Sequence, residues 1–335
     1  MHTLNNPKKK FSVIITFKKN TKDLEKCLHY LYKQTFKNFE VILVSENNIK
    51  IPNKFNYLLK IKKIVYKNKF PGVKRHIAAI KSKSNYLVFI DDDAYPKKNW
   101  LESYFYKIKK NKFEILGGPA IDEYKINTLK QRILSFIFKV EYFGGFPERY
   151  IALKEMSVDD WPTVNLCIKK EIYKKTKGLN YKFWPGEDSL LCNEIYYSLK
   201  KKIRYVPEAV VHHVRRNTVK RQIYQLYGYG NMRGYFFKNR IQNSFKIKFI
   251  IPSVFFLYNL FLFFFLFKIN IAERNIFIPL IIYFILNIYF TIKTIKVLKE
   301  NIKLIFFFLL SNYINHNIYG LAFIFGLFKK KNKNF

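Results

Sequence analysis

Asp91-Asp92-Asp93 sets three carboxylates side by side, directly after the apolar run Tyr86-Leu87-Val88-Phe89-Ile90. Adjacent carboxylates repel one another and destabilise a strand end unless a cation or hydrogen-bond donors compensate. The alternate residues Asp91 and Asp93 would offer oxygen ligands to Mg²⁺ or Mn²⁺, whose remaining positions suit a diphosphate. A second acidic pair, Glu187-Asp188, follows Trp184-Pro185-Gly186, where the glycine turns the chain into a helix. Carboxylates at a helix start often only cap it or complement its dipole. Beside a metal site, either Asp188 or Glu187 becomes a candidate general base that takes the proton from a hydroxyl. The third element is Val210-Val211-His212-His213-Val214-Arg215-Arg216. Either histidine, closing a strand-like run, could supply an imidazole to the same metal, and Arg215 or Arg216 could hold phosphate oxygens in a fork.

These groups need elements to hold them. Residues 11–17 form a continuous β-rich run, followed by Leu24, Cys27, Leu28 and Leu31 at helical spacing, with Asn20 or Thr21 available as a cap. Residues 39–44 read as a second strand, 73–80 as a helix and 86–90 as another buried strand. Continuous apolar strands alternating with amphipathic helices predict a parallel sheet covered on both faces. Ligands of such sheets sit beyond the carboxyl ends of strands, which is where the acidic triplet lies. Cys27, Cys167 and Cys192 have no CxxC or metal spacing, and no apolar signal-peptide core opens the chain. Reduced, structural cysteines are expected.

The last quarter of the 335 residues has a different character. Residues 249–267 and 276–292 are uncharged and rich in Phe, Ile and Leu. Each is long enough to cross about 30 Å of hydrocarbon at about 1.5 Å per residue. A third apolar stretch, 304–328, is interrupted by Ser311-Asn312-Tyr313-Ile314-Asn315-His316-Asn317 and reads as a span, a pair of re-entrant half-helices or an interfacial helix. The link between the first two stretches is short and nearly neutral, whereas 293–303 and the tail Lys329-Lys330-Lys331 are lysine-rich, which predicts a cytoplasmic N-terminus. The net charge of +38 comes from dispersed residues without a nucleic-acid module, so no nucleic-acid partner is expected. Thirteen Lys or Arg against one acid, Glu208, between Lys200 and Lys248 instead suggest attraction to anionic membrane lipids.

Taken in order, the segments resemble the family 2 glycosyltransferases. The pieces that carry the resemblance are Ser12-Val13-Ile14-Ile15, Leu24 through Gln34-Thr35 into Asn38-Phe39-Glu40-Val41-Ile42-Leu43-Val44, Pro71-Gly72-Val73-Lys74-Arg75 and Phe89-Ile90-Asp91-Asp92-Asp93-Ala94. They continue with Gly117-Gly118-Pro119, Asn165-Leu166-Cys167-Ile168, Gly186-Glu187-Asp188 and Val206-Pro207-Glu208-Ala209. The series keeps the family's order over residues 10 to 235. It implies an α/β fold of GT-A type, a Rossmann-like mixed sheet, followed here by C-terminal transmembrane helices.

The resemblance also implies roles. Asp91 and Asp93 match the family's DxD motif, which touches ribose and metal, with Asp93 the firmer metal ligand and Asp92 a neighbour in the donor site. Asp188 matches the catalytic base and Glu187 its acceptor-binding neighbour. His212 or His213 is similar to the metal-binding histidine of some members, and Arg75 to a basic residue of the donor pocket. Two departures stand out. Thr16-Phe17-Lys18-Lys19 replaces the usual turn after the first strand, and Ser45-Glu46 stands where an aspartate usually reads the base. Glu46 could accept the same hydrogen bonds.

The expected organisation is a basic tail over 1–10, a catalytic domain over 11–218, a basic juxtamembrane segment over 219–248, a membrane region over 249–328 and a basic tail over 329–335. Residues 222–234 either guide an acceptor or merely connect domains. The expected activity is metal-dependent, inverting transfer from a nucleotide-diphospho-sugar, with Mn²⁺ or Mg²⁺, to a lipid-linked or polysaccharide hydroxyl at the cytoplasmic membrane face. Rival readings are a nucleotidyltransferase, for which the usual Gly-rich phosphate loop is missing, and an inactive membrane scaffold or lipid-binding protein.

Overall fold

The computed structural model describes residues 10–123, 128–141, 145–214, 218–265 and 275–330. Residues 1–9 and 331–335 of the basic tails, and the expected phosphate ligands Arg215 and Arg216, lie outside the described residues. The chain divides into two compact units, one holding 1–123 and 151–214, the other 124–150 and 215–331. The stretch 124–150, which the sequence places inside the catalytic domain, thus belongs with the C-terminal helices.

The first unit is built on strands β1 (Phe11–Thr16), β2 (Phe39–Ser45), β3 (Ile61–Val65), β4 (Tyr86–Ile90), β5 (Ala94–Pro96), β6 (Ile115–Gly117), β7 (Ala120–Asp122), β8 (Ser157–Val158), β9 (Asn165–Lys169), β10 (Ile203–Tyr205) and β11 (Val211–His213). Eight of them form one sheet in the order β3-β2-β1-β4-β9-β6-β10-β8. The three expected from continuous apolar runs, β1, β2 and β4, and the further strand β3 are all parallel to one another. Beyond β4 the sheet is mixed, because β9 runs antiparallel to both β4 and β6. That α/β architecture is the one the family resemblance implies. A small second sheet, β5-β11-β7, stands apart from it.

Alternation along β1 feeds two cores. Phe11, Val13 and Ile15 meet Leu24, Cys27, Leu28 and Leu31 on one face, while Ile14 meets Ala78, Ala79, Leu179 and Leu191 on the other. Successive strand residues point to opposite faces, so both sides of the sheet are covered. The helix carrying Leu24 to Leu31 spans Lys22–Tyr32 and is capped by Thr21, whose hydroxyl accepts from Leu24 N at 3.1 Å. All three cysteines are buried.

In the second unit, the helices Ile247–Phe265 and Ile278–Leu298 belong to segments long and apolar enough to cross a membrane. The third apolar stretch is one unbroken helix, Ile305–Phe328, rather than two half-helices. It lies against the helix Val219–Lys238 with backbones in contact, since a Cβ on Gly234 would fall 2.0 Å from Phe323 O and one on Gly326 2.1 Å from Asn231 O. Residues 222–234 are therefore a helical packing face. The stretch around Leu129–Phe136 joins the same unit through Phe136 stacked on Phe308 at 3.9 Å, an Arg132–Glu300 ion pair and Lys293 Nζ at 2.7 Å from Glu141.

Candidate active site

Asp91 is the first residue past β4, and the chain turns back at once: Ala94 N donates to Asp91 O at 3.2 Å and β5 begins. β5 pairs antiparallel with β11, with Ala94 opposite His213, and Val214 N donates to Asp93 O at 3.2 Å. The register therefore delivers His213 to the acidic turn, where its Nε2 lies 3.1 Å from Asp93 Oδ1. Ligand atoms of Asp91, Asp93 and His213 all fall within 4.8 Å of one another. His212 is not brought to this cluster. Being one residue away it points off the other face of β11, and its ring stacks on Tyr95 with centroids 5.1 Å apart.

Arg75 connects this cluster to the second acidic pair. It sits in the helix Pro71–Lys81, buried, and donates through Nη2 to Asp91 Oδ1 at 2.5 Å and through Nη1 to Glu187 Oε1 at 3.4 Å. Burial works against the guanidinium charge, but Asp91, Glu187 and Asp188 more than offset it and hold its pKa above the ordinary value. Gly72, one turn earlier, makes room: a Cβ there would lie 2.7 Å from Glu187 Cγ and 2.9 Å from Leu179 O. Glu187 is only 2% exposed, and burial, then the neighbouring Asp188, push its pKa up while Arg75 opposes them. Burial, Asp93 and Asp91 likewise raise Asp92 to about 7. Such a stack of negative charge is what a bound cation would relieve.

Gly186, at φ +113°, adopts a left-handed conformation that a side chain would strain and so starts the helix Glu187–Asn193. Asp188 is half-buried in its first turn, accepting from Ser189 N at 2.9 Å and from Thr163 N at 3.4 Å. Those donors fix the carboxylate's orientation. Glu46, just past the end of β2, pairs with Lys74 Nζ at 3.0 Å, and that lysine is 2% exposed.

Two functional supports escape a reading by residue type. Lys74 lies in the quoted segment before Arg75, but only the fold shows that it reaches Glu46. Asn165 is the other. Its fully buried amide donates to Pro119 O at 3.1 Å and Ala209 O at 2.7 Å, and accepts from Trp100 Nε1 at 2.8 Å and Tyr104 OH at 2.7 Å. Pro119 precedes β7 and Ala209 precedes β11. One side chain thus pins the segments leading into the two strands that deliver His213. The approach is so close that a Cβ on Gly118 would lie 2.0 Å from Ala209 O.

The family model of glycosyl transferase family 2 matches residues 12–175. The chain carries a family 2 glycosyl transferase domain. This glycosyltransferase has Asp91, Asp93 and Arg75 inside the matched stretch, whereas Glu187, Asp188 and His213 lie beyond it and join them only through the geometry above. Among solved structures, the glycosyltransferase is similar to S. aureus TarS 1–349 in complex with UDP-GlcNAc, with 16% identity and a TM-score of 0.50 over 94% of this chain and 91% of that one. GalNAc-T7 with UDP, GalNAc and Mn²⁺ shares 15% identity with a TM-score of 0.46 over 69% of this chain and 51% of that one, too slight a likeness to build on. At such identities the likeness to TarS concerns the fold alone. No curated protein matches the sequence significantly.

Proposed function

We propose that this glycosyltransferase is membrane-anchored and moves a sugar from a nucleotide-diphospho-sugar to a hydroxyl of a lipid-linked or polysaccharide acceptor, in a metal-dependent, inverting reaction. The observation that carries the reading is the convergence of Asp91, Asp93 and His213, joined through Arg75 to Glu187. Two carboxylates and an imidazole fit a divalent cation. The nitrogen donor favours Mn²⁺ over Mg²⁺, which prefers an all-oxygen shell. A bound ion would neutralise the donor diphosphate as it leaves.

The remaining roles belong to the chain's own side chains. Asp188, oriented by two backbone N–H groups, takes the proton of the acceptor hydroxyl as it attacks the anomeric carbon, and one displacement inverts that centre. Glu187 lies beside it on the acceptor side. Arg75 spaces Asp91 from Glu187 and keeps the two acidic sites in register. Glu46, held by Lys74, accepts hydrogen bonds from the nucleobase, with Asp92 supporting the donor site. The helical segments 247–264 and 275–298 anchor the chain in the cytoplasmic membrane, and the lysine-rich 293–303 favours a cytoplasmic catalytic domain.

UDP-GlcNAc, the ligand in the TarS complex, is the first donor to try. Release of UDP from UDP-sugars, or of GDP from GDP-sugars, should need Mn²⁺ and should vanish in Asp93→Ala and Asp188→Ala. Activity that survives both substitutions would overturn the assignment.

A further inference from the structure

We propose that Asp160 is a positioning residue that aims the base Asp188 through Ser189. Asp188 takes two backbone donors from different stretches of chain. Ser189 N, at 2.9 Å, belongs to the helix Glu187–Asn193, and Thr163 N, at 3.4 Å, to the segment between β8 and β9. The orientation of the carboxylate therefore depends on how these two stretches are held against each other. Asp160 links them. Ser189 Oγ donates towards its two carboxylate oxygens, at 3.1 and 3.2 Å, with Asp160 6% and Ser189 7% exposed. Asp160 and Thr163 lie on one short stretch, and Asp188 and Ser189 are adjacent, so the bond closes a ring that contains the base and both of these donors.

The frame around that ring is stiff. Pro162 restricts the backbone between Asp160 and Thr163. The Trp161 indole packs so closely on β6 that a Cβ on Gly117 would fall 2.5 Å from it, and its Nε1 donates to Asn165 O at 3.0 Å. Further along the helix, Trp161 N donates to Cys192 Sγ at 3.3 Å, and beyond it Tyr197 OH donates to Asp159 Oδ2 at 2.7 Å. Residues 159–163 thus form a strap along 188–197, and the Asp160 link is the one that reaches the residue beside the base.

A buried hydrogen bond is not readily exchanged for one to water, so it holds its partners in one geometry. Proton removal needs the base within hydrogen-bond reach of the hydroxyl, and a misplacement of about 1 Å can cost on the order of 100-fold in rate. The inference rests on Asp188 being the base, as proposed above.

The test measures kcat and KM for Mn²⁺-dependent nucleotide release from UDP- or GDP-sugars. Asp160→Ala should lower kcat roughly tenfold or more with KM unchanged within about twofold. Asp160→Asn, which keeps an oxygen for Ser189 Oγ, should recover most of that loss. Tyr197→Phe removes the far end of the strap and should leave kcat within about twofold of wild type. An unchanged kcat in Asp160→Ala, or an equal fall in Tyr197→Phe, would overturn the inference. Should Asp160→Ala fail to fold, Ser189→Ala breaks the same link from the other side and should show the same loss. Amide hydrogen exchange needs no turnover: the N–H groups of Thr163 and Ser189 should exchange roughly tenfold faster in Asp160→Ala, and unchanged exchange would also overturn the inference. Turnover that survives Asp188→Ala defeats the base itself, whereas turnover lost in Asp188→Ala but intact in Asp160→Ala defeats only the positioning role.

Discussion

The two units treat buried polarity in opposite ways. In the sheet unit, charged groups converge, with Arg75 set against Asp91 and Glu187 and His213 against Asp93. In the helical unit, several polar groups that lie between apolar helices are uncharged and bond to one another: Asn312 Nδ2 reaches Asn287 Oδ1 at 2.8 Å and Thr291 Oγ1 at 3.1 Å, and Tyr283 OH meets His316 Nδ1 at 2.7 Å. Paired amides and hydroxyls hold helices together at little cost, whereas concentrated charge is unstable without a ligand. The first pattern is that of a site and the second that of a scaffold.

The difference is most easily broken at Asp93. Asp93→Ala should lower kcat/KM on the order of 10³-fold while leaving the melting temperature nearly unchanged, because the residue stands at a half-exposed turn. A comparable loss of stability would mean that the acidic turn is structural.

Asn165→Ala should reverse that balance. It leaves two carbonyls, an indole N–H and a phenol without their partner, so unfolding in denaturant should report a loss of about 3 kcal/mol or more. By contrast, Asn312→Leu in the helical unit removes hydrogen bonds between helices and should cost only about 1 kcal/mol in a detergent unfolding assay.

The smallest effect is on pH. Burial lowers the pKa of both His76 and His212 below the ordinary 6.5. The unfolded chain then takes up protons that the native state refuses, so the stability they contribute is full above about pH 6.5 and drains away as pH falls below it. Melting should come a few degrees lower at about pH 5 than at about pH 7.5, and His76→Gln should shrink that drop.

How much of this could be read from sequence follows from the physics of each residue. The triplet after 86–90 was legible because a continuous apolar run predicts a buried strand, and sites lie beyond such strand ends. The choice between His212 and His213 was not, because adjacent strand residues face opposite ways and only the pairing of β11 with β5 sets the phase. β5, β6, β7, β10 and β11 have three residues each, too few to show a period, which is why the apolar runs alone point only to the parallel part of the sheet. Lys74 and Asn165 act over 28 to 65 residues of separation, and nothing in their neighbourhoods marks that. The grouping of 124–150 with the helices rests on distant contacts such as Phe136 on Phe308.

The central claim is that Asp91, Asp93 and His213 hold a divalent cation and His212 does not. Mn²⁺ titration followed by electron paramagnetic resonance, with no turnover required, tests it directly. Wild type and His212→Ala should bind one ion alike, His213→Ala should bind it at least tenfold more weakly, and Asp93→Ala should not bind it measurably. Equal loss in the two histidine variants, or undiminished binding in Asp93→Ala, would contradict the account.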